Sequence, residues 1–135
     1  MTAGATCDTS VLVPALVSWH HDHEQARMSV VDQVTALPAH VLIETYSVLT
    51  RLPAPHRIAP VDAAAAIAVT IGIVALPADS HLDLITEMSR HGIRGGAVYD
   101  ALIAATARHH DLLLLTRDRR ARAVYEAVGV QYALS

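Results

Sequence analysis

Short apolar runs alternate along this chain with longer segments in which apolar residues recur every three or four positions, the pattern of strands and helices taken in turn. The run from Ala3 to Asp8 reads as a strand, followed at once by a short helix from Ser10 through Val17. His21 to Val34 is polar, with a thin apolar stripe at Ala26, Val30 and Val31, and is predicted helical. A short strand over Thr35 to Leu37 stops at Pro38. His40 to Leu52 is a helix apolar on most sides (Val41, Leu42, Ile43, Tyr46, Val48, Leu49) and is therefore expected to be buried. Residues 51–60 hold three of the six prolines and must be a loop. Pro60 or Val61 opens the next helix, with Asp62 in its first turn. A strand over Ile73 to Leu76 ends at Pro77. Then come an amphipathic helix from Ser80 to His91, closed by Gly92, and a helix from Ala97 to His109. Leu112 to Leu115 is a continuous apolar run, as expected of a strand covered on both faces. A helix from Arg119 to Val128, capped by Gly129, leads to a last strand from Val130 to Ala133.

About five strands separated by helices define an α/β chain. The expected architecture is a three-layer α/β/α sandwich around a central parallel sheet, one domain over residues 1–135. With 135 residues, a division in two would leave each half little core to bury. In such sheets, binding sites form beyond the carboxyl ends of the strands, where strand order reverses.

Composition narrows the field. Apolar residues make up 53% of the chain and charged residues 17%, which excludes a disordered or polyelectrolyte segment. So apolar a surface predicts contact with a partner chain. No apolar stretch is long enough to span a bilayer. The opening residues lack a basic region, so no secretory signal is expected; a single cysteine, Cys7, fits a reducing cytoplasm. Every one of the ten basic residues is Arg, and the net charge is −3, so any nucleic-acid contact must come from a local patch.

The candidate chemistry lies with the acids. Asp8 closes the first strand and Asp118 follows the Leu112–Leu115 strand by three residues, so both fall at the carboxyl edge of the sheet. Thr9, Ser10 and Thr116 set small hydroxyls beside them. Glu44 and Asp100 each stand alone on a largely apolar helix face, where an ionised carboxylate is costly to bury without a cation. A cation shared by all four accounts for the pattern; so do separate caps or pairings with Arg. Four carboxylates without a thiolate form a hard-oxygen set suited to Mg²⁺ or Mn²⁺.

Competing uses of an acidic sheet edge fail on residue type. With no Lys in the chain, neither a receiver-type phosphoacceptor nor a Walker-A loop can be written. Ser10 stands where a haloacid-dehalogenase-type phosphatase needs Asp, and no G-x-S-x-G elbow or G-x-G-x-x-G loop occurs. Metal-assisted phosphodiester hydrolysis remains.

The segments CDTSVLVPAL, HVLIETYSVLTRL, GGAVYDALIAATA and LLLLTRDRR, in that order, resemble the four acidic motifs of PIN-domain nucleases. More narrowly, they resemble the VapC toxins of VapBC-type type II toxin–antitoxin modules, over nearly the whole chain. The resemblance implies that Asp8, Glu44, Asp100 and Asp118 are catalytic and hold Mg²⁺, with Mn²⁺ as substitute, supported by Thr9, Ser10 and Thr116. It implies an endoribonuclease leaving 5′-phosphate and 3′-hydroxyl ends, a homodimer, and a cognate VapB-type antitoxin covering the acidic groove. Many relatives carry an acid or aromatic after the last motif, whereas Arg119, Arg120, Ala121 and Arg122 follow here. The alternatives are a non-catalytic PIN-like binding module and a nuclease of the same fold with a DNA or structured substrate.

Arg117, Arg119, Arg120 and Arg122 surround Asp118 at a helix start, where cations oppose the helix dipole. They are candidates for holding an RNA backbone; an ordinary solvated face paired to Asp118 or Glu126 is the other reading. His20, His21 and His23 beside Asp22 read as an exposed entry to a helix rather than a transition-metal site. Tyr46 and Tyr99 are expected in the core, and so is Cys7.

Overall fold

The computed structural model describes residues 4–68 and 72–135. Five strands, β1 (Gly4–Cys7), β2 (Leu37–Pro38), β3 (Ile73–Val74), β4 (Leu112–Thr116) and β5 (Tyr132–Leu134), alternate with seven helices. These are α1 (Thr9–Leu16), α2 (His23–Gln33), α3 (Ala39–Thr50), α4 (Pro60–Ile67), α5 (His81–Arg90), α6 (Ala97–His109) and α7 (Arg122–Val128). The α/β class stands, with one difference from expectation. The strands divide into a three-stranded parallel sheet, β1-β4-β5, and a two-stranded parallel one, β2-β3. The division has a local cause: Pro38 has no N–H to continue the β2 ladder. A bridge from Ala5 to Val34 and the bond from Thr35 N to Ala5 O (2.9 Å) lay the small sheet alongside β1. Strand neighbours thus run β3, β2, β1, β4, β5, and strand order reverses at β1, which is where Asp8 emerges.

The core fills in around this frame. Cys7, Leu114, Ile103, Val11 and Tyr125 are fully enclosed, each large apolar side chain contributing roughly 1.5–3 kcal/mol by leaving water. Burial pushes the Cys7 thiol well above its ordinary range, consistent with a packing role. Helix α6 presents Ala101, Ala104, Ala105 and Ala107 to the interior, small side chains that let its backbone approach closely. Gly129 ends α7 in the left-handed conformation (φ 87°) that glycine adopts without a Cβ penalty.

Several boundaries move. Asp8 lies outside β1 and caps α1, its carboxylate accepting from Ser10 N. The predicted helix from Arg119 begins as a 3-10 turn, Arg119–Ala121, before α7. The expectation that α3 is buried is overturned: only Val41, Thr45 and Leu49 are, while Ile43 is 71% exposed. One face of α3 meets the core, and among the described residues Ile43 and Tyr46 on the other remain exposed. Tyr46 and Tyr99 are likewise exposed rather than core residues.

Candidate active site

Parallel register builds the site. Cys7 pairs with Leu115, so the next residue of each strand, Asp8 and Thr116, meet at the sheet edge. Asp8 N donates to Leu115 O (3.1 Å), extending the ladder by one bond. The Asp8 carboxylate is buried and held by four donors. Ser10 N (3.1 Å) and Ser10 Oγ (2.5 Å) donate to Oδ1. Thr116 Oγ1 (2.5 Å) and Tyr125 OH (2.6 Å) donate to Oδ2. Burial raises the Asp8 carboxyl above the ordinary carboxylate range, against the pull of these hydrogen bonds. The network continues outward: Asp118 N donates to Thr116 Oγ1 (3.0 Å) and Arg117 N to Ser10 Oγ (2.8 Å).

Asp100, in the first turn of α6, is half-buried, and its carboxyl is pushed up to about 6. Desolvation is the first cause, followed by the fields of Asp118, Asp8 and Glu44, with His40 pulling the other way. Three acids from separate parts of the chain therefore bear on Asp100. Among the described residues, no hydrogen bond compensates Asp100. Glu44 has a partial partner, His40 Nε2 at 3.3 Å one helical turn before it. Asp118 caps the 3-10 turn through Arg120 N (2.9 Å) and lies 3.6 Å from Arg120 Nε.

This donor set fits a hard divalent cation. All four candidate groups are carboxylates, and the repulsion felt at Asp100 is what such a cation would relieve. The four do not close as tightly as His20, His21 and Asp22, whose ligand atoms lie within 4.8 Å of one another on the loop before α2. That second group is already neutralised: Asp22 is in an ion pair with Arg117 and lies 3.0 Å from His21 Nε2. His23 turns away to Pro14 O (2.9 Å).

The remaining sequence candidates divide. Ser10 and Thr116 touch Asp8; among the described residues, the Thr9 hydroxyl is buried without a partner and bonds to none of the acids. Arg119, Arg120 and Arg122 are exposed; Arg120 lies against Asp118, whereas Arg122 Nε donates to Tyr132 OH (3.4 Å). Arg117 is mostly covered and engaged with Asp22. A groove lined by Ser10, His20, His21, Arg117, Asp118 and Arg120 leads to this edge.

Two residues of the site escaped the sequence reading. His40 was visible as the residue four before Glu44 on one helix face, and its ring stacks on Tyr99 (centroids 5.1 Å apart, planes 4° apart). Tyr125 reads in sequence as an ordinary apolar position of a helix.

The chain matches the PIN-domain family over residues 5–127. It is 46% identical over 129 residues to Ribonuclease VapC40 of Mycobacterium tuberculosis strain H37Rv, covering 94% of this chain and 96% of that protein. It is 40% identical over 131 residues to Ribonuclease VapC27 of the same strain, covering 95% and 94%. The crystal structure of M. tuberculosis VapC20, described as a Sarcin-Ricin loop cleaving toxin, superposes with a TM-score of 0.69. At 24% identity, over 88% of this chain and 93% of that one, this likeness speaks for the fold.

Proposed function

The chain belongs to the PIN-domain family, and on that premise we propose that it is a divalent-metal-dependent endoribonuclease, the toxin of a toxin–antitoxin pair. The carrying observation is the register that brings Asp8 and Thr116 together at the carboxyl edge of the parallel sheet, with Asp118, Asp8 and Glu44 near enough to bear on Asp100. Two close relatives named as ribonucleases support the activity. Asp8, Glu44, Asp100 and Asp118 are the residues that would hold Mg²⁺ or Mn²⁺. When bound, such an ion supplies a water acidified toward neutral pH and neutralises charge on the phosphoryl oxygens. The chain's own part is positional. Ser10, Thr116 and Tyr125 hold the Asp8 carboxylate, and Asp100 stays ionised above pH 6. Arg119, Arg120 and Arg122 lie exposed where a phosphate backbone would approach. Arg117 would reach a phosphate only by leaving Asp22.

A VapB-type antitoxin is the proposed protein partner, seated over the acidic groove. Exposed apolar side chains such as Ile43, Leu82 and Ile85 support a homodimer. Among the described residues, no helix is long and apolar enough to cross a membrane.

The test is cleavage of RNA by the purified chain in Mn²⁺, in EDTA, and after Asp8→Asn. Cutting in Mn²⁺ alone, lost in the variant with its circular dichroism unchanged, is the expected outcome. A folded Asp8→Asn protein that cuts at the parent rate refutes the assignment. Growth arrest on expression, relieved by a neighbouring small open reading frame, tests the toxin role.

A further inference from the structure

We propose that Tyr125 is a positioning residue: its hydroxyl pins the inner oxygen of the Asp8 carboxylate, so that the outer oxygen is the one presented to the metal. The inference rests on the reading of Asp8 as a metal ligand and extends it to the opposite end of the chain.

The two oxygens of Asp8 are held differently. Oδ2 accepts from Thr116 and Tyr125, both wholly buried. Oδ1 accepts twice from Ser10, which is only half-buried. A carboxylate has about four acceptor positions, and here all four are filled. An incoming cation must therefore take a lone pair now held by a donor, and the donors differ in how easily they yield. Ser10 Oγ has other company: it accepts from Arg117 N (2.8 Å) and lies 3.3 Å from Thr116 Oγ1. Thr116 Oγ1 is fixed from the other side by Asp118 N (3.0 Å). Tyr125 OH has Asp8 as its close partner, with Thr116 the other group beside it, and lies in the core. Turning away would give up its bond to a carboxylate where no water can replace it. The inner oxygen is thus anchored and the outer one can be released. Rotation of the carboxylate about its Cβ–Cγ bond, which would spoil its aim, is blocked at Oδ2.

The ring is held independently of this bond. Tyr125 is fully enclosed on α7 and packs at a tilt against Tyr132 (centroids 5.9 Å apart), whose own hydroxyl donates to Glu126 (2.6 Å). Tyr125→Phe therefore removes the anchor and leaves the packing. Outer partners of metal ligands are typically worth roughly 10–100-fold in affinity or activity.

The experiment measures Mn²⁺ binding by calorimetry and RNA cleavage kinetics for the full chain, for Tyr125→Phe and for Tyr132→Phe. The expected result for Tyr125→Phe is Mn²⁺ affinity about tenfold weaker and kcat lower by a similar factor, with KM for RNA unchanged. Tyr132→Phe, which deletes a phenol hydroxyl of the same aromatic pair, keeps the parent Mn²⁺ affinity and kcat. Mn²⁺ affinity of Tyr125→Phe equal to or tighter than the parent overturns the proposal. Should Tyr125→Phe not fold, a second measurement decides. In a chain with Trp19, Tyr46, Tyr99 and Tyr132 all changed to Phe, Tyr125 is the last of the four tyrosines with no tryptophan left, and its near-ultraviolet band is followed during Mg²⁺ titration. A spectral shift saturating together with metal binding is expected, and a flat trace at saturation overturns the proposal. If the parent protein itself binds no Mn²⁺ and cuts no RNA, it is the functional reading that fails instead.

Discussion

Asp100→Asn should make the metal-free protein more stable while destroying its function. The Asp100 carboxyl rises from 3.8 to about 6, roughly two units at 1.36 kcal/mol each, a ceiling of about 3 kcal/mol. The side chain is only half-buried, and solvent screening reduces that ceiling substantially. Removing an acid from the first turn of α6 gives back about 0.3–1 kcal/mol of favourable interaction with the helix dipole. The net gain expected above pH 7 is about 1–2 kcal/mol. Its pH dependence follows from the direction of the shift. Below about pH 4 the carboxyl is protonated in folded and unfolded chains alike, and the substitution changes little. Between about 4 and 6 the unfolded chain sheds this proton first, so the parent loses stability relative to the variant as pH rises. The histidines titrate nearby, but in both proteins, and cancel in the difference. Urea denaturation in EDTA at pH 7.5 and at pH 4 measures it. Adding Mn²⁺ at about 100 times its dissociation constant should stabilise the parent by about 2.7 kcal/mol and the variant by far less, reversing their order. A variant no more stable than the parent in EDTA at pH 7.5 would refute the claim that these acids strain the fold.

His40→Ala removes the group that opposes the three acids at Asp100, so the pH below which Mn²⁺ affinity falls should move upward from about 6; an unchanged midpoint in calorimetric titrations would exclude that role. Arg117→Ala breaks a largely covered pair with Asp22 and should cost about 2 kcal/mol. The Arg117→Ala/Asp22→Ala double variant should then lose less than the sum of the single losses, and strict additivity in denaturation curves would show the pair to be inert. Arg119→Glu or Arg120→Glu should weaken RNA binding and lower the slope of log affinity against log salt by about one per lost phosphate contact, measured by fluorescence anisotropy. An unchanged slope would leave these residues as a solvated face.

Much of the fold was legible because it is written locally. Apolar runs and helical periodicity identify each strand and helix to within a few residues, and α6 falls at its predicted bounds. Parallel strands have their functional ends at the carboxyl side, so Asp8 and Asp118 could be placed at the sheet edge before any geometry was known. Glu44 and Asp100 stood out by being charged on apolar faces, which is again a local anomaly. Periodicity reports which positions match one another along an element, but not what will cover them. For that reason the burial of α3 was overstated, and Ile43, Tyr46 and Tyr99 face solvent. The break between β2-β3 and the main sheet likewise depends on how few residues pair before Pro38 ends the ladder.

The amino-acid order by itself determined the element sequence and the parallel α/β class, and it singled out four acids as candidates. Tertiary structure decided which groups hold them. The register that sets Cys7 against Leu115 brings Thr116 onto Asp8, and the packing of α7 brings Tyr125 to the same oxygen across 117 positions of chain. Such contacts have no period and no motif. They arise when distant elements close around a shared core, where a buried carboxylate must find every donor within reach.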